Sequence, residues 1–353
     1  MNIIGIMSGS SLDGVDLALC KFEGNGNKIL WKILKSSTFR FDDNWKQRLA
    51  CLPNSSAREI ALADYEFGYY LGRMVREFSP GLKPDYIASH GHTIFHEPQN
   101  GMTFQVGNGA AIAAASGIST ISDFRSSDIC RGGQGAPLVS IIDRDLFPGY
   151  AALVNLGGIS NISFNNPDKL IAYDICPCNQ LLNYLSSKLG MDFDNEGKLA
   201  SQGKSAPVLI KKMLELDYFN LSYPKSLDNN YIKMNFMPIL ENCNISIEDK
   251  LASCVEMIVF NLKAELNRYL PEDSAEKRVL LTGGGAKNKF LVKRIKQICK
   301  NISIIVPDIS LIDFKEALLM AYIGYLRVLE RPNVISSVTG AACDSRGGAI
   351  YLA

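Results

Sequence analysis

The chain opens with three short stretches whose apolar positions predict strands. Residues 3–6 are apolar, residues 15–22 alternate, and residues 28–34 follow a Gly24-Asn25-Gly26 turn. Short runs of this kind, bounded by glycine-rich turns, read as hairpin-connected strands. The period then changes. Over residues 57–78, the side chains Ile60, Ala63, Phe67, Leu71, Met74, Val75 and Phe78 recur at helical spacing, which predicts one apolar stripe on a helix. Pro80 and Pro84 close it. Residues 86–89 and 118–122 read as further short strands.

The same order restarts near residue 150. Residues 151–155, 159–164 and 170–174 predict three more strands with tight turns. Helical stretches follow at 179–189 and 251–270, the second with an apolar stripe on Leu251, Val255, Ile258, Val259, Leu262 and Leu266. A strand at 279–282 runs into Gly283-Gly284-Gly285 and a further helix, and the chain continues with a strand at 302–306 and a helix at 315–329. Two halves that each begin with three strands and continue in alternation predict a duplicated α/β lobe with mixed sheets and a cleft between lobes. A single large α/β sheet is the alternative. The expected division is a lobe of residues 1–148 and a lobe of residues 149–353, with the helix at about 315–330 packing back on the first.

Composition narrows the class. Hydrophobic residues make up 47% and charged residues 21%, and the net charge is +1, so no basic field points to nucleic acid. An anionic ligand must then be held by local geometry. The chain offers neither a membrane-length apolar run nor a basic flank before its first apolar residues. The nine cysteines contain no Cys-x-x-Cys pair. These features lead us to expect reduced thiols in a cytoplasmic protein without membrane or nucleic-acid partners.

Three glycine-rich turns carry the candidate chemistry. The first, between the first two strands, holds Gly9, Ser10, Ser11, Leu12, Asp13, Gly14, Val15 and Asp16. Backbone N–H groups and hydroxyls around such a turn suit a phosphate, and Asp13 and Asp16 add carboxylates able to hold magnesium directly or through water. The second, Asn155-Leu156-Gly157-Gly158, lies at the matching turn of the second half. The third, Gly283-Gly284-Gly285 running on to Asn288, sits at a strand-to-helix junction, where glycines admit a flat ring or ribose to the backbone. Each turn, taken alone, is also compatible with a hairpin of no further meaning. Neither a Walker A loop nor a Gly-x-Gly-x-x-Gly dinucleotide fingerprint fits any of them.

The order of these turns resembles that of the actin, hexokinase and heat-shock chaperone ATPases. More closely, the chain resembles the anhydro-N-acetylmuramic acid kinases nearly end to end. The matching stretches are 7–16, 89–96 (Ser-His-Gly-His-Thr-Ile-Phe-His), 105–109, Asp123-Phe-Arg-Ser-Ser-Asp128 and Gly132-Gly-Gln-Gly-Ala-Pro-Leu-Val139. They continue through 155–161, 195–203, 283–288 and Ser337-Val-Thr-Gly-Ala341.

The resemblance implies a two-lobed actin-like ATPase (ribonuclease H-like) fold and a homodimer. It implies an enzyme that uses ATP and Mg²⁺, opens the anhydro bridge of 1,6-anhydro-N-acetylmuramic acid with water and phosphorylates O6, giving N-acetylmuramic acid 6-phosphate. By motif match the general base falls on Asp174, which ends the third strand of the second half. The residues from Gly9 to Asp16, and Asn155, Gly157 and Gly158, match the two phosphate loops. Gly283, Gly284, Gly285 and Asn288 match the nucleotide loop. His90, Asp123, Arg125 and Asn179 match sugar-side motifs; the Arg125 guanidinium suits the lactyl carboxylate, or else pairs with Asp123 or Asp128.

The chain departs from the family pattern at four places. Asp-Thr-Gly-Pro-Gly-Asn becomes Asp174-Ile175-Cys176-Pro177-Cys178-Asn179, which removes a hydroxyl and two glycines with their access to positive φ. Lys-Ser-Thr-Gly becomes Lys225-Ser226-Leu227-Asp228. Ser10 replaces threonine, and His92 replaces glutamine. All three histidines fall at 90, 92 and 96, and on one strand His90 and His92 share a face. Three readings therefore stand open: an amino-sugar kinase, for this or another sugar; a nucleotide-binding homologue without catalysis; and a metal-dependent hydrolase using the histidines.

Overall fold

The structure is a computed structural model that describes residues 1–9, 12–24, 29–164, 171–223, 225–270 and 277–353. The chain divides into two compact units, Met1–Phe147 with Phe314–Ala353, and Pro148–Asp313.

The first unit is built on β1 (Asn2–Ser8), β2 (Gly14–Glu23), β3 (Leu30–Arg40), β4 (Tyr86–Ser89), β7 (Thr120–Ser122) and β13 (Ala349–Tyr351). Their order across the sheet is β13-β7-β4-β1-β2-β3. β1, β2 and β3 form an antiparallel meander, while β4 runs parallel to β1 and β7 parallel to β4. A separate hairpin pairs β5 (His92–Glu97) with β6 (Met102–Val106). Ile4, Ile6, Leu17 and Leu19 pack against Phe67, Leu71 and Val75 of the helix Ala57–Phe78. That helix starts on a capping box in which Ser56 and Glu59 satisfy each other's backbone N–H, so its N-terminus is defined locally as well as by the apolar stripe. The helix Ile309–Val328 approaches β1 so closely that a Cβ on Gly5 would stand 1.8 Å from the Ala317 carbonyl oxygen. Residues 331–353, expected in the second lobe, lie in the first unit instead. The cause is β13, which pairs antiparallel with β7.

The second unit holds β8 (Ala152–Leu156), β9 (Ile159–Phe164), β10 (Ile171–Pro177), β11 (Arg278–Thr282) and β12 (Ser303–Ile305), in the order β10-β9-β8-β11-β12. The first three are antiparallel, and β11 and β12 continue in parallel. The helix Ile247–Tyr269 buries Leu251, Val255, Ile258, Val259, Leu262 and Leu266 in the core of this unit. Both sheets thus share one order, third-second-first-fourth-fifth. This is the ribonuclease H-like arrangement, present twice, as in the actin-like ATPases. In both, the turn between the first two strands and the end of the third strand fall at the same edge, and the candidate residues cluster there.

Candidate active site

In the first unit, β1 ends at Ser8 and the chain turns through Gly9; Ser10 and Ser11 lie outside the described residues. Leu12 takes a left-handed conformation (φ 58°), and Asp13 is exposed. Gly14 is required where β2 meets β3, because a Cβ would stand 2.3 Å from the Phe39 carbonyl oxygen. Val15 is fully buried, so it contributes backbone rather than side chain to this turn. The Thr38 hydroxyl donates to Asp16 Oδ1 at 2.5 Å.

The histidine motif is split. His90 follows β4, Gly91 turns at φ 71°, and His92 begins β5, so the expected shared strand face does not form. Among the described residues no three His, Cys, Asp or Glu side chains gather to hold a metal ion. Arg125 Nε donates to His90 Nε2 at 2.9 Å, and His90 Nδ1 faces the Gly91 carbonyl at 3.1 Å. Burial first, and the Arg125 charge second, push the His90 imidazole down to about 3, so it stays neutral and accepts from the arginine. His92 Nδ1 instead meets Ser8 Oγ at 2.9 Å.

Arg125 is fixed from two sides, since its other bond donates to the Gly135 carbonyl at 2.5 Å. The expected alternative, an ion pair with Asp123 or Asp128, is not formed. Asp128 accepts from Thr339 Oγ1 and Gly135 N, both at 2.8 Å, and Asp123 Oδ1 accepts from Ser126 N at 3.2 Å. The hydrogen bonds of Arg125 thus go to neutral acceptors, and its charge is favoured by the Glu316 carboxylate, which makes no ion pair with it among the described residues.

One residue of this group was not read from the sequence. Glu316 reaches solvent, yet the protein packed around it and then the like charge of Asp16 hold its carboxyl above the ordinary range, opposed by Lys315 and Arg125. Its sequence signal was faint: with Lys315 it is the last charge before the apolar run from Ala317 to Leu326. Lys315 itself is engaged with Asp143 at 2.8 Å.

In the second unit, the turn Gly157-Gly158 is tied to the start of the helix Asn179–Ser187. The Gly157 carbonyl accepts from Asn179 N at 3.1 Å, and the Gly158 carbonyl accepts from Cys178 N at 2.9 Å and Gln180 N at 3.1 Å. These bonds satisfy N–H groups that the helix cannot satisfy itself. Asn179 Nδ2 donates to the Leu156 carbonyl at 2.9 Å. The third turn closes on the same point. Gly283 has φ 79°, and a Cβ there would stand 2.3 Å from Asn155 Oδ1; Gly285 packs on Leu156, while Gly284 is exposed. Asn288 accepts from Leu291 N at 2.9 Å and caps the helix Lys289–Ile298, so its side-chain oxygen is already engaged. A cavity of about 1280 Å³ opens beside these residues, lined by Asn179, Glu196, Gly284, Asn288 and several lysines including Lys293 and Lys296. Its size and cationic rim suit an anionic ligand larger than a simple sugar.

Asp174 lies at a bulge where the register of β10 against β9 shifts. Its Oδ2 accepts from Leu227 N at 2.9 Å, and its carbonyl accepts from Tyr218 OH at 2.6 Å. Burial raises its carboxyl above the ordinary range, and the Leu227 N–H opposes this. A raised pKa makes it a stronger base than a free carboxylate.

The substituted loop beside it proves compatible with that geometry. Neither Cys176 nor Cys178 has positive φ, and both side chains point into the core. Burial pushes the Cys176 thiol up to about 12 and Cys178 well above its usual value, so both are protonated packing groups rather than reactive thiols. Asp228, the unexpected carboxylate, caps the helix Asn229–Glu241 by accepting from Tyr231 N at 2.7 Å.

The profile described as anhydro-N-acetylmuramic acid kinase matches residues 1–353. The chain belongs to the anhydro-N-acetylmuramic acid kinase family. It is 32% identical to the anhydro-N-acetylmuramic acid kinase of Picosynechococcus sp., covering 99% of each chain. It is 34% identical to that of Hydrogenovibrio crunogenus, covering 99% of this chain and 97% of the relative. Among solved structures it is similar to the activator of the 2-hydroxyisocaproyl-CoA dehydratase from Clostridium difficile with bound ADPNP, at 15% identity, 94% and 96% coverage and a TM-score of 0.44. It is also similar to component A of the (R)-2-hydroxyglutaryl-CoA dehydratase from Acidaminococcus fermentans, at 13% identity, 91% and 96% coverage and a TM-score of 0.45. Membership of a kinase family sets aside the reading as a metal-dependent hydrolase. Among the described residues no helix is long and apolar enough to cross a membrane.

Proposed function

We propose that this family member is an ATP-dependent kinase that hydrolyses the bridge of 1,6-anhydro-N-acetylmuramic acid and phosphorylates the freed O6. The observation that carries this reading is the Asp174 carboxylate, oriented by the Leu227 N–H and made more basic by burial. In the proposed reaction Asp174 takes a proton from water as the water oxygen bonds to the anomeric carbon. The bond from that carbon to O6 breaks, O6 bonds to the γ-phosphorus of ATP, and ADP leaves. Arg125, held on His90 and Gly135, pairs with the lactyl carboxylate and sets the sugar's orientation. Asp123 and Asn179 complete the sugar side.

The phosphates are assigned to the turn from Gly9 to Asp16 and to Asn155, Gly157 and Gly158. The nucleoside is assigned to the cavity beside Gly283, Gly284, Gly285 and Asn288. Asp13, exposed, and Asp16, half-buried, fit a Mg²⁺ ion, which keeps several waters and takes one or two carboxylates besides phosphate oxygens. When bound, it neutralises charge on the transferring phosphoryl group. A cytoplasmic homodimer accords with the family.

ADP release with Mg-ATP, measured with and without 1,6-anhydro-N-acetylmuramic acid, tests this reading. Sugar-dependent turnover that Asp174→Asn lowers by about 10²–10⁴-fold, with ATP still bound, is the expected result. ATP binding without sugar-dependent turnover in the wild type would establish the nucleotide-binding homologue instead.

A further inference from the structure

A buried ion pair lies behind the base. Lys225 Nζ stands 3.6 Å from Glu265 Oε1, and their side chains are 2% and 9% exposed. Glu265 Oε2 accepts from Tyr173 OH at 2.8 Å, next in sequence to Asp174, and Glu265 also meets Arg268 at 3.2 Å. The Lys225 ammonium lies over the Tyr218 ring at 4.8 Å and the Tyr173 ring at 5.8 Å. Tyr218 is the residue whose hydroxyl donates to the Asp174 carbonyl.

The pair therefore grips Asp174 through three routes. The Lys225 carbonyl accepts from Asp174 N at 3.4 Å. The Leu227 N–H, two residues beyond Lys225, orients the carboxylate. Tyr173 and Tyr218 join the base's own strand to the two charges. Desolvating an ammonium and a carboxylate costs several kcal/mol per ion, and a well-packed apolar pair commonly serves stability equally well. A charged pair at this place is accounted for by what it orients: it ties residues 225–228 to the helix Ile247–Tyr269, and that segment supplies the only backbone donor to the base among the described residues.

We propose that Lys225 and Glu265 are positioning residues for Asp174, their ion pair fixing the segment whose Leu227 N–H holds the carboxylate in its reactive orientation. This rests on the reading of Asp174 as the base.

Removing one charge alone strands the other in the core, so a single Lys225→Ala chain tests folding more than positioning. The informative protein is the double variant Lys225→Met with Glu265→Gln, which removes both charges, keeps the volume and leaves an acceptor for Tyr173. Three measurements on the full-length enzyme decide. Turnover with saturating 1,6-anhydro-N-acetylmuramic acid is expected to fall about 10- to 100-fold, with the KM for ATP within about twofold. The acid limb of the pH–rate profile is expected to move to higher pH, because the Leu227 N–H no longer favours the ionised carboxylate. Amide hydrogen exchange is expected to quicken at residues 225–228 and to stay unchanged across the core strands β8 and β11.

Wild-type turnover and an unmoved acid limb, beside an inactive Asp174→Asn, would overturn the positioning role and leave the base reading intact. An active Asp174→Asn enzyme would overturn the base reading and the proposal built on it. Faster exchange spread across the whole second unit would show a purely structural pair and overturn the proposal as well.

Discussion

The third strands of the two sheets, β3 and β10, occupy the same place in the same topology and are both edges. β3 is 11 residues long and buries none of them, whereas β10 buries Tyr173, Ile175, Cys176 and Pro177 among its 7. The chemistry follows that difference. In the first unit the carboxylate near the edge is Asp16, which lies on the second strand and takes a hydroxyl bond from Thr38 of exposed β3. In the second it is Asp174, on the third strand itself, with protein packed around it. Burial raises its pKa and a single N–H limits the rise. Under the proposed function, one strand order thus yields a carboxylate for charge neutralisation in one unit and a base in the other. What separates them is the cover laid over the third strand, not the sheet.

The sharpest way to break this comparison is to neutralise both carboxylates. Asp174→Asn is expected to lose about 10²–10⁴-fold in turnover at nearly unchanged ATP affinity. Asp16→Asn is expected to raise the Mg²⁺ concentration needed for half-maximal rate. The pH profile adds a sign. In the proposed reaction the base works ionised, so activity is expected to rise with pH through its pKa, and a raised pKa places that limb above the usual carboxylate value of about 4. A limb at or below that value would remove burial as the cause. Equal losses in ATP affinity for both variants would erase the distinction between the units.

Arg125→Lys comes next. A lysine cannot hold the His90 and Gly135 contacts and present a fork to a carboxylate at once. The KM for the sugar should rise about 10-fold, or about 1.4 kcal/mol, with that for ATP unchanged. An unaltered sugar KM would release Arg125 from the sugar side.

Paired glycine substitutions compare the two turn regions by stability. Gly283→Ala meets both an unfavourable φ of 79° and a 2.3 Å approach to Asn155, and is expected to cost about 1–3 kcal/mol from the backbone alone. Gly14→Ala has no unfavourable φ, but its 2.3 Å approach is to the Phe39 backbone carbonyl, which cannot turn aside as the Asn155 side chain can, so its cost in urea unfolding should be at least as large. A smaller cost at Gly14 would mean that β2 and β3 relax there. The smallest effect is expected at Asp228→Ala, which removes a helix cap worth about 0.5–2 kcal/mol. A larger loss of turnover than of stability there would tie Asp228 to the site.

Much of this was legible along the chain. The stripe from Ile60 to Phe78 marks its helix, because helix period and one-sided burial act on neighbouring residues. The three glycine turns mark the strand ends for the same local reason. The hairpin of β5 and β6 was missed, since His92–Glu97 has no apolar alternation, although Ile94 and Val106 join the first unit's core. The shared histidine face failed at Gly91, whose positive φ turns the strand. β13 was missed because three residues carry too little pattern, and its partner β7 lies more than two hundred positions earlier.

The residues alone determine the main run of strands and helices in each half, the duplicated half, the glycines at its turns and, through ordered motifs, the family. Each of these is a property of neighbouring positions or of their sequence. Only the tertiary structure decides that Glu316 feels the charges of Asp16 and Arg125, that Arg125 rests on His90 rather than on an aspartate, and that Lys225 finds Glu265 behind Asp174. Those relations depend on residues tens to hundreds of positions apart meeting at short distance. The pKa of a carboxylate follows from that surrounding protein, and no local pattern encodes it.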